Sequence, residues 1–432
     1  MSASTTPSPV SSALPWWREP TKDQWQAYIA AWLGWTLDAF DFTIFLLIMV
    51  PISQEFGVPI TAVAIIFTLT LWMRLVGATA AGWIGDRWGR KTPLMISILW
   101  YSICNFIAGF SPTFTFLLIF RTLLGIGMGA EWPAGAALAM ESWPARSRGF
   151  MSGILQGSWG LGFALSAAAY GFLYDDIGWR GLLWIGILPA LVVVWIRFYV
   201  KEPEVWAENK RLQIEKKTEV KAPLLVIFRR EHLFNTLTGC AWMASAFCVY
   251  YSIWALFSTY LQKELQWTPA MVAIPLFWAN IVVFAGNGLW GGVADKWGRR
   301  PAIFVPALIG IIVTPLYLWT KDPTLIVGGF ILQGVFGGAI YGQNPSYLCE
   351  RFPTEVRATA SGFVYHQGAI WGGFVAPVLS YFAIEMNMGF AVPMMVSTTL
   401  FLVLVVVFVL MGPETKGKVL TADLEVVPKA AD

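Results

Sequence analysis

Five ionisable side chains lie within long apolar stretches of the first half of the chain. They are Asp38, Asp41, Arg74, Arg121 and Glu131. A charged side chain at the centre of a bilayer costs about 2.5–3.5 kcal/mol on insertion scales, so residues of this kind are functional candidates. A carboxylate there can bind and release a proton, and a guanidinium can hold another carboxylate through two parallel hydrogen bonds. The pattern predicts a site within a membrane that handles a proton and an organic anion.

The stretches that position these residues have the length and composition of membrane-spanning helices. The chain has 432 residues, of which 57% are hydrophobic and 13% charged, with a mean hydropathy of +0.61. Soluble domains have about 25% charged residues, and a helix needs ~20 apolar residues to cross a bilayer. We therefore predict an all-α membrane protein with twelve transmembrane helices. The predicted spans are 26–50, 60–84, 93–111, 113–140, 147–172, 181–200, 232–261, 270–294, 301–320, 323–349, 357–384 and 388–411.

Positive charge is distributed unevenly over the segments between these spans. If both termini lie on one side, 23 of the 29 Lys and Arg residues fall on that same side. Because cytoplasmic loops are enriched in Lys and Arg, we predict that both termini are cytoplasmic and that the protein lies in the cell inner (plasma) membrane. The basic loops are expected to set this topology, and no nucleic-acid partner is predicted.

The two halves of the chain repeat the same residues at a fixed offset of 209 positions. The repeated pairs include Gly82/Gly291, Asp86/Asp295, Arg90/Arg299, Glu141/Glu350, Arg148/Arg357 and Gly153/Gly362. Internal repeats of this kind are typical of carriers that bind a substrate near the bilayer midplane, between the halves. The predicted division is an N-terminal tail at 1–24, a six-helix bundle at 25–200, a cytoplasmic linker at 201–231, a second six-helix bundle at 232–411 and a C-terminal tail at 412–432. Both tails are expected to be disordered.

Acidic and basic residues recur together at the cytoplasmic ends of the repeated helices. The topology rule requires no acidic residues there, so their presence indicates a second role. We predict two networks that hold the cytoplasmic side closed in the outward-facing state. This predicted latch consists of Asp86, Arg90 and Glu141 in the first half and Asp295, Arg299 and Glu350 in the second.

The second half has no charges at the positions equivalent to the five buried ionisable residues. It offers neutral polar groups within its spans instead: Asn280, Asn287, Gln343, Asn344, His366 and Gln367. The first half is therefore predicted to handle the proton. Arg74 is the first choice to bind a substrate carboxylate and Arg121 the second, with His366, Gln367 and Asn344 contacting the ligand from the other half. His366 has an equally simple alternative, a hydrogen bond to a neighbouring carbonyl. Aromatic candidates for an apolar wall are Trp35, Trp72, Trp132, Tyr341 and Trp371.

Three carboxylates are candidates for the proton carrier. Asp41 is the first choice, with Asp38 and Glu131 as alternatives. A neighbouring arginine stabilises an ionised carboxylate, so a pairing of Asp41 with Arg121 that forms and breaks during transport would make proton affinity alternate. A purely structural ion pair between the first and fourth helices is the alternative.

Several segments resemble signatures of a known family. The loops after the second and eighth predicted helices read GWIGDRWGRK (82–91) and GGVADKWGRR (291–300), and the fourth helix contains RTLLGIGMG (121–129). These segments resemble the loop and helix 4 motifs of the major facilitator superfamily. The resemblance implies two six-helix bundles, and it places Asp41 and Arg121 like the helix 1 carboxylate and helix 4 arginine of proton-coupled sugar carriers in that superfamily.

A narrower resemblance concerns the lactate/sialate proton symporters of the superfamily. It rests on LDAFDFTIF (37–45), GMGAEWPAGAALAMESWP (127–144) and RGFMSGILQGSWGLG (148–162). These segments are nearer to the lactate permeases than to the sialic acid transporters, and aromatic-acid symporters share a similar pair of aspartates in helix 1.

The resemblance and the residues together predict a proton-coupled symporter of lactate or a similar monocarboxylate, acting as a monomer. Symport of sialic or aromatic acids is the alternative, and sodium coupling stays open. A non-transporting receptor on the same fold is another class, which the short tail after Gly412 disfavours. The chain shows no GxSxG, HExxH or Walker motif and no metal-ligand cluster, so no enzymatic activity and no cofactor are predicted.

Overall fold

The computed structural model describes residues 15–267 and 269–426, and within them every regular element is helical. The predicted tails fall partly outside this range, at residues 1–14 and 427–432. The α-helices are α1 Lys22–Leu47, α2 Met49–Phe56, α3 Ile60–Trp88, α4 Lys91–Ala108, α5 Phe114–Ser142, α6 Arg148–Ile185, α7 Pro189–Tyr199, α8 Glu204–Glu215, α9 Pro223–Val226, α10 Arg230–Trp254, α11 Phe257–Lys263, α12 Pro269–Trp297, α13 Arg299–Leu318, α14 Pro323–Val335, α15 Asn344–Arg351, α16 Arg357–Ile384 and α17 Ala391–Met411. Short 3₁₀ turns lie at Ala145–Ser147 and Ala339–Tyr341.

These helices form twelve membrane spans. Ten helical runs within the described residues are long and apolar enough to cross a bilayer. One of them, Ala145–Tyr199, has 55 residues, or ~82 Å of helix, which is enough for two spans. Its helical geometry breaks at Gly178, where φ is 63° and ψ is −175°. The 18-residue helix α4, ~27 Å long, supplies the remaining span. The predicted all-α, twelve-helix architecture is therefore confirmed.

Two sharp turns connect repeated helix pairs at one face of the molecule. Gly89, between α3 and α4, has φ 107°, and Gly298, between α12 and α13, has φ 116°. These backbone conformations favour glycine because a Cβ would be strained there. The linker 201–231 lies on the same face, where Trp206 Nε1 donates to the Asp86 carbonyl and Trp83 Nε1 donates to the Lys221 carbonyl. We call this side of the molecule the linker face.

The two bundles meet along two pairs of long helices. Helix α3 of the first bundle packs against α16 of the second, and α6 packs against α12. The tenth span is interrupted between α14 and α15, where residues 336–343 form only a short 3₁₀ turn. Irregular backbone at membrane depth is tolerated where protein buries it or where it lines a cavity. This interruption adjoins the space between the bundles.

The C-terminal segment departs from the prediction of disorder. Residues 413–426 lie on the linker face and make hydrogen bonds with both the second bundle and the linker. Thr354 Oγ1 donates to the Thr421 carbonyl at 2.8 Å, and Asn209 Nδ2 donates to the Ala422 carbonyl at 3.0 Å. The expectation was wrong for these residues because groups on the linker face satisfy part of their polar backbone.

Candidate functional site

A cavity lies between the two bundles, and the space there that no protein atom fills, open solvent included, is about 770 Å³. Its walls come from α1, α3 and α6 of the first bundle, and from α10, α12, α16 and the interrupted tenth span of the second. The aromatic side chains that line it are Trp35, Phe42, Trp159, Phe247, Tyr250, Tyr251, Trp254, Tyr341 and Tyr365. The other lining residues are Leu71, Arg74, Gln156, Gly160, Asn280, Val283, Asn287, Gly338, His366 and Ala369. The cavity is thus apolar and aromatic, with one cationic side chain and a few amides.

Arg74 is the cationic residue of this wall. Its Nη2 donates to Asp38 Oδ2 in an ion pair that is almost completely buried. The guanidinium carbon lies 5.8 Å from the ring centre of Trp35, 5.1 Å from Phe42 and 5.3 Å from Trp159. Aromatic faces attract a cation, so three rings and one carboxylate hold this side chain in place. The geometry suits a group that receives an anion from the cavity.

Glu131 is the third buried carboxyl group of this region. Its side chain packs against Gly34 and Gly135. The glycine at position 34 makes room for it, since a Cβ there would overlap Glu131 Oε1. Neither of its oxygens has a hydrogen-bond partner among the described residues, and the residue is 1% exposed. It lies within electrostatic reach of Asp38 and Arg74. A charged carboxyl group without partners is costly to bury in such a place.

Asp41 and Arg121 belong to a separate cluster that does not line the cavity. Asn105 joins them: its Nδ2 donates to Asp41 Oδ1 at 3.0 Å, and Arg121 Nη1 donates to Asn105 Oδ1 at 2.9 Å. Arg121 also packs over the Phe45 ring, with 4.4 Å between the guanidinium carbon and the ring centre. In this conformation the Asp41 carboxylate and the Arg121 guanidinium are therefore bridged by the Asn105 amide and do not form a direct ion pair. Asn105 was not among the residues that the sequence predicted for this cluster.

The residues predicted to contact a ligand from the second half divide into two groups. His366 lines the cavity, and its Nδ1 also contacts the Gly362 carbonyl at 3.1 Å. Gln367 donates to the carbonyls of Cys240 and Val364 and does not line the cavity. Asn344 is buried at the start of α15, also away from the lining residues. Three residues predicted to contact the ligand do not line the cavity in this conformation: Gln367, Asn344 and Arg121. Their contact with a ligand stays a prediction.

The predicted aromatic wall is only partly formed by the residues that were singled out. Trp35 and Tyr341 line the cavity, whereas Trp371 is 58% exposed on the outer surface of α16. Trp72 contacts Phe374, with 5.7 Å between the ring centres, and does not line the cavity either. Aromatic residues are as common at lipid-facing and helix-packing positions as at ligand sites. Residue type alone therefore does not tell a cavity-lining aromatic residue from one that faces lipid or a neighbouring helix.

A polar and aromatic layer closes the cavity on the side of the linker face. Gln156 and Tyr365 stand at equivalent positions of the repeat, and Gln156 Nε2 donates to Tyr365 Oη at 3.2 Å. Trp132 Nε1 donates to Gln156 Oε1 at 3.1 Å, and its ring stacks on Tyr365 with 3.9 Å between ring centres. Gln156 and Tyr365 both lie ~12 Å from the linker-face ends of α6 and α16. The sequence did contain a signal for this layer. Two polar residues, Gln156 and Tyr365, stand at equivalent positions of the repeat, each within a predicted span.

The predicted latch residues form two equivalent networks across the linker face. In the first, Asp86 accepts hydrogen bonds from the Ala358 and Thr359 amides, which belong to the start of α16 in the other bundle. Arg90 bridges Asp86 and Glu141, each at 2.7 Å. Arg357 of the second bundle reaches Glu141 at 2.6 Å. The first network therefore joins the two bundles through one carboxylate at a helix N-terminus and one buried ion pair.

The second network repeats this arrangement with the bundles exchanged. Asp295 accepts hydrogen bonds from the Gly149 and Phe150 amides at the start of α6, at 2.8 and 2.9 Å. Arg299 bridges Asp295 and Glu350, and Arg148 of the first bundle reaches Glu350 at 3.3 Å. All six predicted latch residues are thus brought together, three in each network. The structure is closed at the linker face.

The charge state of Arg90 follows from its neighbours. Burial alone lowers the pKa of this guanidinium, but the carboxylates of Glu141 and Asp86 outweigh burial, so the net pKa of Arg90 is raised. Next to it, Glu202 accepts hydrogen bonds from the Arg90 and Lys91 amides, and burial raises the pKa of its carboxyl group. Arg90 therefore remains a cation within the network at any physiological pH.

Two helical bundles around a central cavity, closed at one face by equivalent networks, have the architecture of a membrane transporter. A sequence model of the Major Facilitator Superfamily matches residues 31–257 and again residues 243–429. The chain belongs to the Major Facilitator Superfamily and is a multi-pass membrane transporter. This family is not enzymatic, in agreement with the prediction from the sequence.

Similar proteins cover nearly the whole chain. The probable 4-methylmuconolactone transporter of Cupriavidus pinatubonensis is 28% identical over 408 residues, which are 93% of each chain. The sialic acid transporter NanX of Escherichia coli is 28% identical over 412 residues, which are 94% of this chain and 98% of that one. A solved structure of the proton:xylose symporter XylE is similar with a TM-score of 0.73 and 16% identity, over 92% of this chain and 97% of that chain. At that identity the likeness shows the fold alone.

Proposed function

We propose that this protein carries a small carboxylate, lactate or a similar monocarboxylate, together with a proton by alternating access. The observation that supports this most directly is Arg74, the cationic side chain of an otherwise apolar and aromatic cavity, held in a buried ion pair with Asp38. A guanidinium binds a carboxylate well and keeps its charge when buried. The two relatives support the same substrate class, because 4-methylmuconolactone and sialic acid both carry a carboxylic acid group.

Coupling to a proton follows from competition for Arg74. Asp38 is stabilised as an anion by this guanidinium, and a substrate carboxylate that binds Arg74 weakens that stabilisation. Binding of the acid then favours protonation of Asp38, and protonation of Asp38 favours binding of the acid, because linkage is reciprocal. Glu131, which lies beside this pair, is placed to pass the proton on. This geometry favours Asp38 over Asp41, whose carboxylate is held by Asn105 outside the cavity.

A ring-bearing acid, sialic or aromatic, is the second candidate substrate. Nine aromatic side chains line the cavity, and aromatic faces suit a ring-bearing ligand. A receptor without transport activity is a less suitable candidate, since a receptor has no need for two equivalent networks that join the bundles at one face. Binding in the cavity and opening of those networks are both parts of a transport cycle.

Uptake of labelled lactate into proteoliposomes that contain the purified protein tests the proposed function. We expect uptake that unlabelled lactate competes, and a panel of sialic, benzoic and other organic acids ranks the alternatives. Empty liposomes provide the background. If no organic acid is taken up and none competes, the proposed carboxylate substrate is wrong. A neutral substrate such as a sugar would then be the candidate to test.

The Arg74→Lys variant tests the proposed anion site. A lysine keeps the positive charge, but it cannot present two parallel donors to a carboxylate, nor stack on three rings in the same way. We expect the affinity for the acid to fall by about tenfold or more, since a charged hydrogen bond contributes roughly 1.5–3 kcal/mol. Arg121→Lys, which alters the cluster outside the cavity, is the matched comparison. Unchanged affinity in the Arg74 variant and a loss in the Arg121 variant would move the anion site to Arg121.

We further propose that the protein is a monomer in the inner membrane with both termini and the linker in the cytoplasm. The excess of Lys and Arg on the linker face supports this orientation. Reporter tags at the N-terminus, within 216–219 of the linker and at the C-terminus are all expected to give cytoplasmic signals. A tag at Lys321, in the segment between α13 and α14, is expected to report the opposite side. A periplasmic signal from the linker would contradict the proposed orientation.

A further inference from the structure

Four buried polar atoms of cavity-lining residues have no hydrogen-bond partner among the described residues, and they divide between the two bundles by chemical type. On the first bundle, Arg74 Nε and Trp35 Nε1 are buried donors that meet no acceptor among the described residues. On the second bundle, Asn287 Oδ1 and His366 Nε2 are buried atoms that meet no donor among the same residues. Buried polar groups are nearly always paired, so these atoms indicate what a ligand must bring.

The free group of Asn287 is identified by the bond that its side chain already makes. Its amide nitrogen lies 2.8 Å from the Val283 carbonyl, which can only accept, so the NH₂ group faces that carbonyl. The remaining atom, Oδ1, is a pure acceptor, and the whole residue is 1% exposed. Asn280 is arranged in the same way, with its nitrogen donating to the Leu276 carbonyl at 2.9 Å. Both amides therefore present acceptors as their free groups.

The tautomer of His366 follows from the same reasoning. Its Nδ1 lies 3.1 Å from the Gly362 carbonyl, so Nδ1 holds the hydrogen and donates. In a neutral imidazole the other nitrogen, Nε2, is then an acceptor. Its ring is held edge-on by Trp132 and Tyr365, with 6.1 and 4.9 Å between ring centres, and the residue is 1% exposed. The second bundle thus offers a second buried acceptor in a fixed orientation.

We propose that the cavity selects hydroxylated carboxylic acids, with the carboxylate on Arg74 and Trp35 of the first bundle and a hydroxyl group donating to Asn287 or His366 of the second. This inference rests on the proposed function and adds the substrate class. An acid without a hydroxyl group leaves the two acceptors unpaired, which a site built for hydrogen bonding penalises strongly. Because the two ends of the ligand contact different bundles, the same acid also draws the bundles together.

Pairs of acids that differ only in the hydroxyl group test this inference. The pairs are lactate and propionate, 3-hydroxybutyrate and butyrate, and 4-hydroxybenzoate and benzoate. Dissociation constants are measured by calorimetry on the purified protein in nanodiscs, so that transport is not required. We expect the hydroxylated member of at least one pair to bind about tenfold tighter or more in the wild-type protein. Equal affinities within every pair would overturn the inference.

Variants then identify the residues that recognise the hydroxyl group. In Asn287→Leu or His366→Leu, the preference within the pair is expected to fall towards one while the affinity for the acid without the hydroxyl group is kept. Asn235→Leu is the matched control, since its side chain donates to the Arg351 carbonyl near the linker-face end of α10 and does not line the cavity, and it should retain the preference. If one leucine variant fails to fold, the alanine variant of the same residue replaces it, and the wild-type ratio still decides whether the hydroxyl group is recognised at all. A preference that survives in both leucine variants also overturns the assignment, whereas binding of no acid at all contradicts the proposed function itself.

Discussion

The Asp38→Asn variant is expected to lose accumulation driven by a pH gradient while it still exchanges the acid across the membrane. Asparagine resembles the protonated aspartate in shape and in charge, so the substrate site beside Arg74 stays intact. Asparagine cannot bind and release a proton, so the proton gradient no longer drives uptake of the acid. Wild-type protein with one proton per acid should accumulate the acid up to roughly tenfold for each pH unit, because a tenfold ratio corresponds to 1.4 kcal/mol.

Two assays on the same proteoliposomes separate coupling from binding. Net uptake under an inward proton gradient should fall to equilibration in the Asp38→Asn variant. Exchange of internal unlabelled acid for external labelled acid should remain at a rate close to that of the wild type. Asp41→Asn and Glu131→Gln are measured in parallel. If Asp38→Asn accumulates the acid normally and Asp41→Asn does not, the proton carrier is Asp41, as the helix 1 motif alone suggested.

The Asp86→Asn variant is expected to shift the protein away from the state that is closed at the linker face. Asp86 accepts two backbone hydrogen bonds from the other bundle, at 3.0 and 2.9 Å, and pairs with Arg90. Removing its charge weakens these interactions by about 2–3 kcal/mol, since hydrogen bonds to charged groups contribute 1.5–3 kcal/mol each. The ratio of closed to open molecules should therefore fall roughly 30- to 150-fold. Transport slows, while binding of the acid is largely kept.

Spin labels at the exposed positions Trp88 and Trp297 report the distance between the bundles on the linker face. These positions are equivalent in the repeat, and the distance between them should lengthen in Asp86→Asn. Asp295→Asn, the equivalent change in the second network, should act in the same direction. Asp23→Asn is the matched control because the Asp23–Lys201 pair on this face is exposed and contributes little. An unchanged distance distribution together with lost binding would show that Asp86 does not act as a latch.

Fold and latch composition were predictable because each has a signal that repeats. Long apolar stretches and the offset of 209 residues indicate two bundles, and acidic residues among basic ones indicate the networks. Their reciprocal arrangement needed the structure. That Asp86 reaches the amides of α16, and Asp295 those of α6, depends on how the two bundles dock.

The partners of the buried charged residues could not be predicted from the sequence in the way that the fold and the latch residues could. Asp38 and Asp41 are three residues apart, so they differ by only ~4.5 Å in height and share much of one helix face. Which arginine each one meets depends on the position of α1 relative to α3 and α5. The structure pairs Asp38 with Arg74 and inserts Asn105 between Asp41 and Arg121. The C-terminal segment escaped prediction for a related reason, since its bonds to Thr354 and Asn209 are absent from local sequence patterns.

Uptake of labelled acid driven only by a proton gradient tests the central claim most directly. Proteoliposomes with an alkaline interior are diluted into acidic, sodium-free buffer, and the internal acid is measured against liposomes with equal pH on both sides. We predict accumulation above the external concentration, which a protonophore abolishes and a sodium gradient does not replace. Uptake that only equilibrates under the proton gradient, or that accumulates only with sodium, would contradict proton-coupled symport.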